Sequence, residues 1–252
     1  MIYEKLNLKN GDILRASHIE QIEEGILSLS EETIIDESDL NNLLISKCGD
    51  VSNYGEFITS LKSEHANPTF IDLGFIEEVN GHKLTDFSFE ITFRIDDKTS
   101  AHCAIFGAMP EYSTSNFGIY TKTDWNHIGI AFGYSATPIV TVPIVVGEIY
   151  TVKVSASGIE VNGTSYNINP DLNSTLASYK NLYLFASNTG SQGNDTPYHN
   201  GGTKSIYDFK IYSGSELIRH LKPYVTTRGR SCMYDIINNK EYLPAQDNLI
   251  AE

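Results

Sequence analysis

The stretch FSFEITFRI, residues 87–95, alternates apolar and polar side chains along its whole length. Successive side chains of a β-strand point to opposite faces of the sheet, so this alternation predicts a strand with one buried and one solvated face. The side chains predicted to share the buried face are Phe87, Phe89, Ile91, Phe93 and Ile95. A single strand cannot cover that apolar face by itself, so the pattern requires a second layer of structure.

Several other segments have the same period of two and are separated by turn residues. They are HIGIAFGY (127–134), IYTVKVSA (149–156), GIEVNGTSYNI (158–168), NLYLFAS (181–187) and SIYDFKIYS (205–213). Within the third, the dipeptide Asn162-Gly163 is a strong signal for a β-hairpin. Because no helical pattern lies between these segments, they predict an all-β domain of antiparallel strands, as a sandwich or a barrel.

The charge balance of the chain argues against two classes of partner. The 252 residues include 32 acidic and 18 basic side chains, which gives a formal net charge of −14. Binding to nucleic-acid phosphates or to anionic membranes requires the opposite balance, so we expect neither partner. The N-terminal residues 1–12, MIYEKLNLKNGD, lack the pattern of a secretory signal. No apolar run reaches the length of a transmembrane helix, so membrane insertion is not expected.

A short helix is predicted near the N-terminus. Ser17 and Glu20 match the capping box of a helix that begins near His18. Its apolar side chains recur at spacings of three, four and three, as in the seam of a coiled coil. These candidate oligomerisation residues are Ile19, Ile22, Ile26 and Leu29. Isoleucine in both core positions favours coiled coils of three or four helices over those of two, which indicates a homotrimer. Alternatively, these four side chains pack on the β-domain of their own chain.

The change of period divides the chain into two predicted domains. A second helical segment follows the first and is expected to end at Gly49. The period of two begins near residue 56, so residues 46–54 are expected to link the helices to the β-strands. We therefore predict an N-terminal helical domain over residues 1–49 and a β-domain over residues 50–252.

Five segments together resemble the concanavalin A-like, laminin-G-type jelly rolls of bacteriophage and gut-bacterial surface proteins. They are FIDLGF (70–75), DFSFEITFRI (86–95), IYTVKVSASGIEVNG (149–163), NLYLFASN (181–188) and the tail from residue 206 to residue 245. In the tail, the residues that match the family's closing phrases are Ile211, Tyr212, Gly214, Leu217, Arg219, Pro223, Tyr234, Asp235, Asn239 and Tyr242. The resemblance implies a concanavalin A-like antiparallel jelly-roll sandwich with an extended C-terminal closing segment.

The N-terminal phrase LNLKNGDILRASHIEQIEEGI, residues 6–26, is separately similar to the opening of many phage tail and baseplate proteins. The matching residues are Gly11, Ala16, His18, Ile22, Glu23, Gly25 and Ile26. This resemblance implies a virion protein of the phage tail, made in the cytoplasm of the bacterial host without a signal peptide. Residues 1–49 would then bind other tail or baseplate proteins, and the β-domain would attach the virion to a glycan of the host cell surface.

Two long loops, residues 109–126 and 187–204, carry the candidate ligand-binding side chains. Both combine aromatic rings, which can stack on a sugar, with amides and carboxylates, which can bond its hydroxyl groups. The candidates are Tyr112, Asn116, Tyr120, Asp124, Trp125, Asn194, Asp195, Tyr198, His199 and Asn200. Trp125 is equally well explained as a core residue at the end of a strand.

We expect no cofactor from the sequence, and calcium is the one alternative considered. Asn194 and Asp195 offer the hard oxygen ligands that Ca²⁺ prefers, and jelly rolls of the family that the chain resembles often hold Ca²⁺ at the rim. Asp96 and Asp97 are a second candidate pair, although the same residues are common in a turn between strands.

No catalytic pattern accompanies these loops. Hydrolases of this fold usually carry an E-x-D-x-x-E phrase, which is absent here. The best pair of carboxylates, Asp86 and Glu90 on one strand, would have Cα atoms about 13 Å apart, whereas glycosidases need their carboxyl groups about 5–9.5 Å apart. We therefore expect a non-enzymatic protein. A structural capsid or tail decoration protein without a glycan ligand is the first alternative, and a glycan depolymerase is the second.

Overall fold

A computed structural model of the protein describes residues 55–97, 103–108, 116–121, 127–133, 140–166, 175, 180–190, 195–198 and 202–252. The chain divides into two units, Met1–Tyr54 and Gly55–Glu252. The predicted N-terminal helices and the candidate oligomerisation residues Ile19, Ile22, Ile26 and Leu29 lie outside the described residues. The helical segment, the homotrimer and the division at residues 49 and 50 therefore stay predictions.

The described residues form nineteen β-strands and no α-helix, so none of them belongs to a helix that could span a membrane. The strands are β1 (Glu56–Phe57), β2 (Leu61–Ser63), β3 (Ile71–Gly74), β4 (Phe87–Ile95), β5 (Ala104–Ala108), β6 (Asn116–Thr121), β7 (His127–Gly133), β8 (Val140–Pro143), β9 (Ile149–Ser155), β10 (Gly158–Val161), β11 (Thr164–Tyr166), β12 (Leu182–Leu184), β13 (Ser187–Asn188), β14 (Pro197–Tyr198), β15 (Lys204–Ser213), β16 (Glu216–Val225), β17 (Ser231–Asp235), β18 (Lys240–Tyr242) and β19 (Ile250–Ala251).

These strands form two sheets. The larger sheet has the order β11-β10-β9-β4-β15-β16-β17-β18, with β1 beside β16, β2 beside β15 and β19 beside β2. The smaller sheet has the order β14-β13-β5-β6-β7-β8, with β12 beside β5 and β3 beside β12. Among the described strands the pairing is antiparallel throughout, except for the parallel contact of β13 with β5. The prediction of an all-β, antiparallel sandwich is confirmed.

The predicted alternation of β4 is seen in its burial, because its odd-numbered residues are buried and its even-numbered residues are partly exposed. The buried face packs against aromatic residues of the smaller sheet. The ring of Phe106 on β5 lies 5.3 Å from that of Phe89 on β4 and 4.7 Å from that of Phe209 on β15, measured between centroids. The apolar core therefore lies between the two sheets, and the other face of the larger sheet carries the polar side chains of β4.

Strands β15 and β16 separate at one end and form a fork in the larger sheet. They pair from Phe209↔Leu221 to the hairpin turn. On the other side of Phe209, β15 pairs with β2, whereas the end of β16 pairs with β1. A bulge between Ile206 and Asp208 lies next to the point of separation. The fork leaves an open groove on the outer face of the sheet.

Candidate functional site

A straight row of charged side chains crosses the outer face of the larger sheet. Lys210 of β15 is paired in register with Glu90 of β4, Glu90 with Lys153 of β9, and Lys153 with Glu160 of β10. Side chains directly opposite each other on one face are close enough to interact. The row therefore alternates in sign across four neighbouring strands.

The distances show that this row is a connected network. The Nζ atom of Lys210 lies 3.0 Å from Oε1 of Glu90. The Nζ atom of Lys153 lies 3.3 Å from Oε2 of Glu90 and 3.8 Å from Oε1 of Glu160. Each oxygen of Glu90 is thus held by a different lysine. Burial alone would lower the pKa of the Lys210 ammonium, but its hydrogen bonds to Glu90 and Asp208 outweigh burial and raise that pKa above its usual range.

The network continues to the fork through Asp208 and His220. Oδ2 of Asp208 lies 3.0 Å from Nζ of Lys210, and Oδ1 of Asp208 lies 2.7 Å from Nε2 of His220. The bulge in β15 turns Asp208 toward the same face as Lys210. The backbone amide of His220 donates to the buried carboxylate of Asp235, at 3.1 Å. The imidazole is therefore held at the fork from both its ring and its backbone.

The fork groove, as we call it, is the open space at this fork, with a volume of about 700 Å³. The side chains that give it its chemistry are Phe57, Tyr207, Asp208, His220, Lys222 and Glu252. Phe57 is an exposed aromatic ring, with 51% of its surface accessible. Its ring centroid lies 5.1 Å from that of Tyr224 and 5.8 Å from that of Tyr234, so two tyrosines support it.

The other wall of the fork groove is fixed by Glu252. This carboxylate accepts hydrogen bonds from Lys62 and Ser60 and lies 3.1 Å from Nη2 of Arg94. Burial alone would raise the pKa of Glu252, but these donors outweigh burial and hold the pKa below its usual value. The guanidinium of Arg94 also lies over the ring of Tyr207, 5.8 Å from its centroid. Three polar side chains of the lining, Asp208, His220 and Glu252, therefore already have partners.

A second groove lies on the same outer face, beyond the contact of Lys210 with Glu90. This groove, which we call the row groove, has a volume of about 600 Å³. Its outward-facing side chains include Ser88, Glu90, Lys153, Ser155, Glu160 and Tyr212. It thus combines hydroxyl groups, charged groups and one aromatic ring, as the fork groove does.

Four of the ten predicted ligand-binding residues lie in the described part of the chain. Asn116 begins β6, and Tyr120 lies further along that strand, where it is buried, which raises the pKa of its phenol. Tyr198 is half-buried in β14, opposite Ser187 of β13. The other six are outside the described residues: Tyr112, Asp124, Trp125, Asn194, His199 and Asn200. Their role in ligand binding, and that of these four, stays a prediction.

Asp195 is the fourth ligand-binding candidate in the described part of the chain, and one of its oxygens accepts hydrogen bonds from two donors. Its Oδ1 atom lies 3.0 Å from Nζ of Lys180 and 2.8 Å from Nδ2 of Asn188. The Lys180 side chain is completely buried. Burial alone would raise the pKa of Asp195, but the Asn188 and Lys180 hydrogen bonds outweigh burial and lower the pKa. A calcium ion at this oxygen would lie close to an ammonium of like charge.

The second candidate calcium pair also has partners. Asp96 accepts a hydrogen bond from Ser205 at 2.6 Å and pairs with Arg94. Asp97 accepts from the backbone amide and the hydroxyl of Thr203, at 2.9 and 2.7 Å. These contacts fasten the end of β4 to the start of β15, which fits the alternative reading of the pair as a turn. Among the described residues, no group of three or more His, Cys, Asp or Glu side chains is placed to hold a metal ion.

Sequence reasoning missed the fork groove, although one signal for it is present. In SIYDFKIYS, residues 205–213, a strict period of two would place Asp208 on the same face as Ile206. The buried apolar residues are instead Ile206, Phe209 and Ile211. The spacing of three between the first two indicates a bulge, and a bulge redirects a side chain toward a functional face.

Comparisons with known proteins support the fold. No protein-family model and no curated protein matches the chain. Among solved structures, the chain is similar to a Bacteroides ovatus protein to which carbohydrate binding is provisionally assigned, with 13% identity, a TM-score of 0.50, and coverage of 78% of this chain and 60% of that one. A SAP-like pentraxin from Limulus polyphemus gives 13% identity and a TM-score of 0.43, with coverage of 78% of this chain and 93% of that one. A Trypanosoma rangeli sialidase gives 15% identity and a TM-score of 0.35, with coverage of 52% of this chain and 21% of that one.

The likeness to the Bacteroides structure, at this identity, concerns the fold alone. The chain spans about 60% of that structure's length and about 21% of the sialidase's length. The fold and the outer face together define an antiparallel β-sandwich with two polar grooves on the larger of its sheets.

Proposed function

We propose that the β-domain binds a carbohydrate in the fork groove and releases it unaltered. The observation that carries this proposal is the position of Phe57, whose ring is 51% exposed at the groove that Asp208, Lys210 and His220 line. An exposed aromatic face can stack on a sugar ring, while carboxylate, ammonium and imidazole groups exchange hydrogen bonds with its hydroxyl groups. The carbohydrate binding provisionally assigned to the Bacteroides ovatus protein of similar fold supports the same ligand class.

The proposal extends to the biological setting. The resemblance of residues 6–26 to phage tail and baseplate proteins supports a virion protein that attaches to a glycan of the host cell surface. The isoleucine stripe supports a homotrimer, in which several weak sites act together through avidity. In that setting residues 1–49 bind neighbouring tail or baseplate proteins, and the chain is made in the cytoplasm of the bacterial host.

Binding without catalysis is proposed because two carboxylates of the outer face, Glu90 and Asp208, are already paired. Glu90 is held by two lysines, and Asp208 by Lys210 and His220. A glycosidase needs two carboxyl groups that are available to act on the glycosidic bond, whereas Glu90 and Asp208 already bind Lys210. Release of reducing ends from host cell-wall polysaccharide by the purified protein would instead establish a depolymerase.

A glycan array with the full chain tests the proposal, with Phe57→Ala as the decisive variant. We expect binding to bacterial surface glycans and a loss of about tenfold or more in affinity on Phe57→Ala, because stacking is lost. Phe75→Ala is the matched control, because Phe75 is 54% exposed and does not line the fork groove. Melting temperatures confirm that both variants are folded. Absence of binding to every glycan would refute the proposal in favour of a structural decoration protein. Equal binding by both variants would instead refute the placement of the site at Phe57 in the fork groove.

The trimer is tested separately by light scattering of the full chain. The double substitution Ile22→Asn and Ile26→Asn is expected to give monomers, because a polar side chain in each core layer disrupts the seam. A variant that remains trimeric would refute the assignment of the N-terminal stripe.

A further inference from the structure

We propose that the row groove is a second subsite of the carbohydrate site, so that the ligand is an extended, uncharged oligosaccharide lying across the strands. This inference rests on the proposed function, since it concerns the length and charge of the ligand bound there. The two grooves open on the same face of one sheet. Lys210 lines the fork groove and Glu90 the row groove, and these two side chains are in direct contact.

The register shows that the two grooves are in line. His220 is paired with Lys210, and the row continues through Glu90 and Lys153 to Glu160. Five neighbouring strands thus contribute one residue each to a line perpendicular to the strands. Four strand spacings of about 4.8 Å give this line a length of about 19 Å. One strand spacing is close to the length of a linked pyranose ring, so the line corresponds to roughly four rings.

The charges along the line favour an uncharged chain. Negative and positive side chains alternate, so the pairs largely cancel: Glu160 with Lys153, and Glu90 with Lys210. A sugar hydroxyl both donates and accepts hydrogen bonds, so it can bridge neighbours of opposite sign without displacing either. A polyanionic chain would meet Glu90 and Glu160 in the line, and a protein with a net charge of −14.

The row groove also has accessible groups for direct contact. The Lys153 side chain is 51% exposed and that of Glu160 is 39% exposed. The hydroxyl groups of Ser88 and Ser155 and the ring of Tyr212 line the same groove. In the fork groove, Phe57 provides the corresponding exposed ring. Each groove therefore has an aromatic ring and hydrogen-bonding groups of its own.

Size ladders of neutral glycans test the inference. The probes are glucan, galactan, mannan and N-acetylglucosamine oligomers of one to six rings, titrated against the full chain. For the series that binds, affinity is expected to rise with each added ring up to about four rings and then to level off. Lys153→Met and Tyr212→Ala are each expected to lower the affinity for the four-ring oligomer about tenfold and to leave that for the shortest binding oligomer unchanged. Phe57→Ala is expected to weaken binding of both.

Lys83→Met is the matched control, because Lys83 is exposed and lines neither groove. Equal affinity for short and long oligomers, with Phe57→Ala still weakening binding, would overturn the second subsite and leave the proposed function intact. Tighter binding of an acidic ladder, such as polygalacturonate oligomers, would overturn the uncharged ligand. Failure of all ladders and of the glycan array would overturn the proposed function, and this inference with it.

Discussion

Nε2 of His220 lies 2.7 Å from Oδ1 of Asp208 beside the point where β15 and β16 separate. The same carboxylate holds Lys210 through its other oxygen, at 3.0 Å. One aspartate, placed by a β-bulge, therefore joins His220 of the fork groove to Lys210, which in turn contacts Glu90 of the row groove. This part of the outer face is built from the middle of a sheet and from contacts that are far apart in sequence.

Asp208→Asn should weaken this arrangement measurably. The amide keeps one acceptor but loses the charge, so the contact with the partly buried Lys210 weakens. We expect the free energy of unfolding in urea to fall by about 1–2 kcal/mol. Asp247→Asn is the control, because the pair of Asp247 with Arg230 is exposed and should change stability by less than about 0.5 kcal/mol. Equal effects of the two substitutions would contradict a special role for Asp208.

The larger sheet was predictable where its pattern is local. The alternation of residues 87–95 defines the buried face of β4. The Asn162-Gly163 turn joins β10 to β11, and both turn residues have positive φ, 48° and 79°. In both cases a side-chain period or a backbone requirement is satisfied within a few residues, so the sequence alone carries the information.

The fork was not predictable, because the information that specifies it is not local in the sequence. Strand β1 has two residues and β2 has three, too few to show a period. β2 pairs with β15, whose paired residues lie more than a hundred positions later in the chain. The bulge at Asp208 reverses the face on which that side chain would fall. Only the pairing of distant segments brings Phe57, Asp208 and His220 together.

Lys204→Met should stabilise the protein. Lys204 is buried in the core near Cys103, and burial lowers the pKa of its amine despite a hydrogen bond to that thiol. A buried ammonium costs stability that a methionine of similar volume avoids, so we expect a gain of about 1–4 kcal/mol in the free energy of unfolding at pH 6.

The pH dependence of that gain follows from the sign of the shift. The folded protein binds the Lys204 proton less tightly than the unfolded chain, whose pKa is 10.5. The cost of Lys204 is therefore complete below the folded pKa and shrinks as pH rises toward 10.5. The advantage of the methionine variant should be smaller at pH 9 than at pH 6. Lys83→Met is the exposed control, and a pH-independent advantage of Lys204→Met would be inconsistent with this cause.

Glu252→Gln should make the free energy of unfolding less dependent on pH in the acid range. The pKa of Glu252 lies below its unfolded value of 4.5, because the Lys62 and Ser60 hydrogen bonds outweigh burial. Its contribution to stability is present above pH 4.5 and is lost as pH falls through the folded pKa. We expect Glu252→Gln to lower the free energy of unfolding by about 1–2 kcal/mol at pH 7.

The difference between Glu252→Gln and the wild type should shrink in urea titrations toward pH 3. Glu216→Gln, at an exposed position, is the control. A constant difference across this pH range would show that the Glu252 contacts do not depend on its charge.

Asp195→Asn separates a structural role of this carboxylate from a calcium-binding role. Its removal leaves the buried Lys180 ammonium without the charge that lies 3.0 Å away. We expect a loss of about 1–3 kcal/mol without calcium, less than for a fully buried pair because the Asp195 side chain is 40% exposed. The comparison is made by thermal unfolding with and without millimolar calcium. A melting temperature that rises with calcium in the wild type only would make Asp195 a calcium ligand.

Gly107→Ala should strongly destabilise the smaller sheet. Gly107 has a φ of 150°, and a Cβ atom there would lie 2.4 Å from the carbonyl oxygen of Phe117 and 2.7 Å from Cα of Gly118. Because both obstacles are backbone atoms of β6, the strand pair itself would have to move apart. Phe117 packs against Phe106 and Phe89 in the core, so that movement would also open the contact between the sheets. We expect a loss of more than about 3 kcal/mol in the free energy of unfolding.

Gly147→Ala is the control for backbone conformation alone. Its φ is also positive, 86°, but a Cβ atom there meets nothing within 4 Å. It should therefore cost only about 1–2 kcal/mol from the left-handed backbone. Urea denaturation of the two variants measures the difference. Equal losses would mean that β5 and β6 can separate without disturbing the core, which would contradict the close packing of Phe117 between the two sheets.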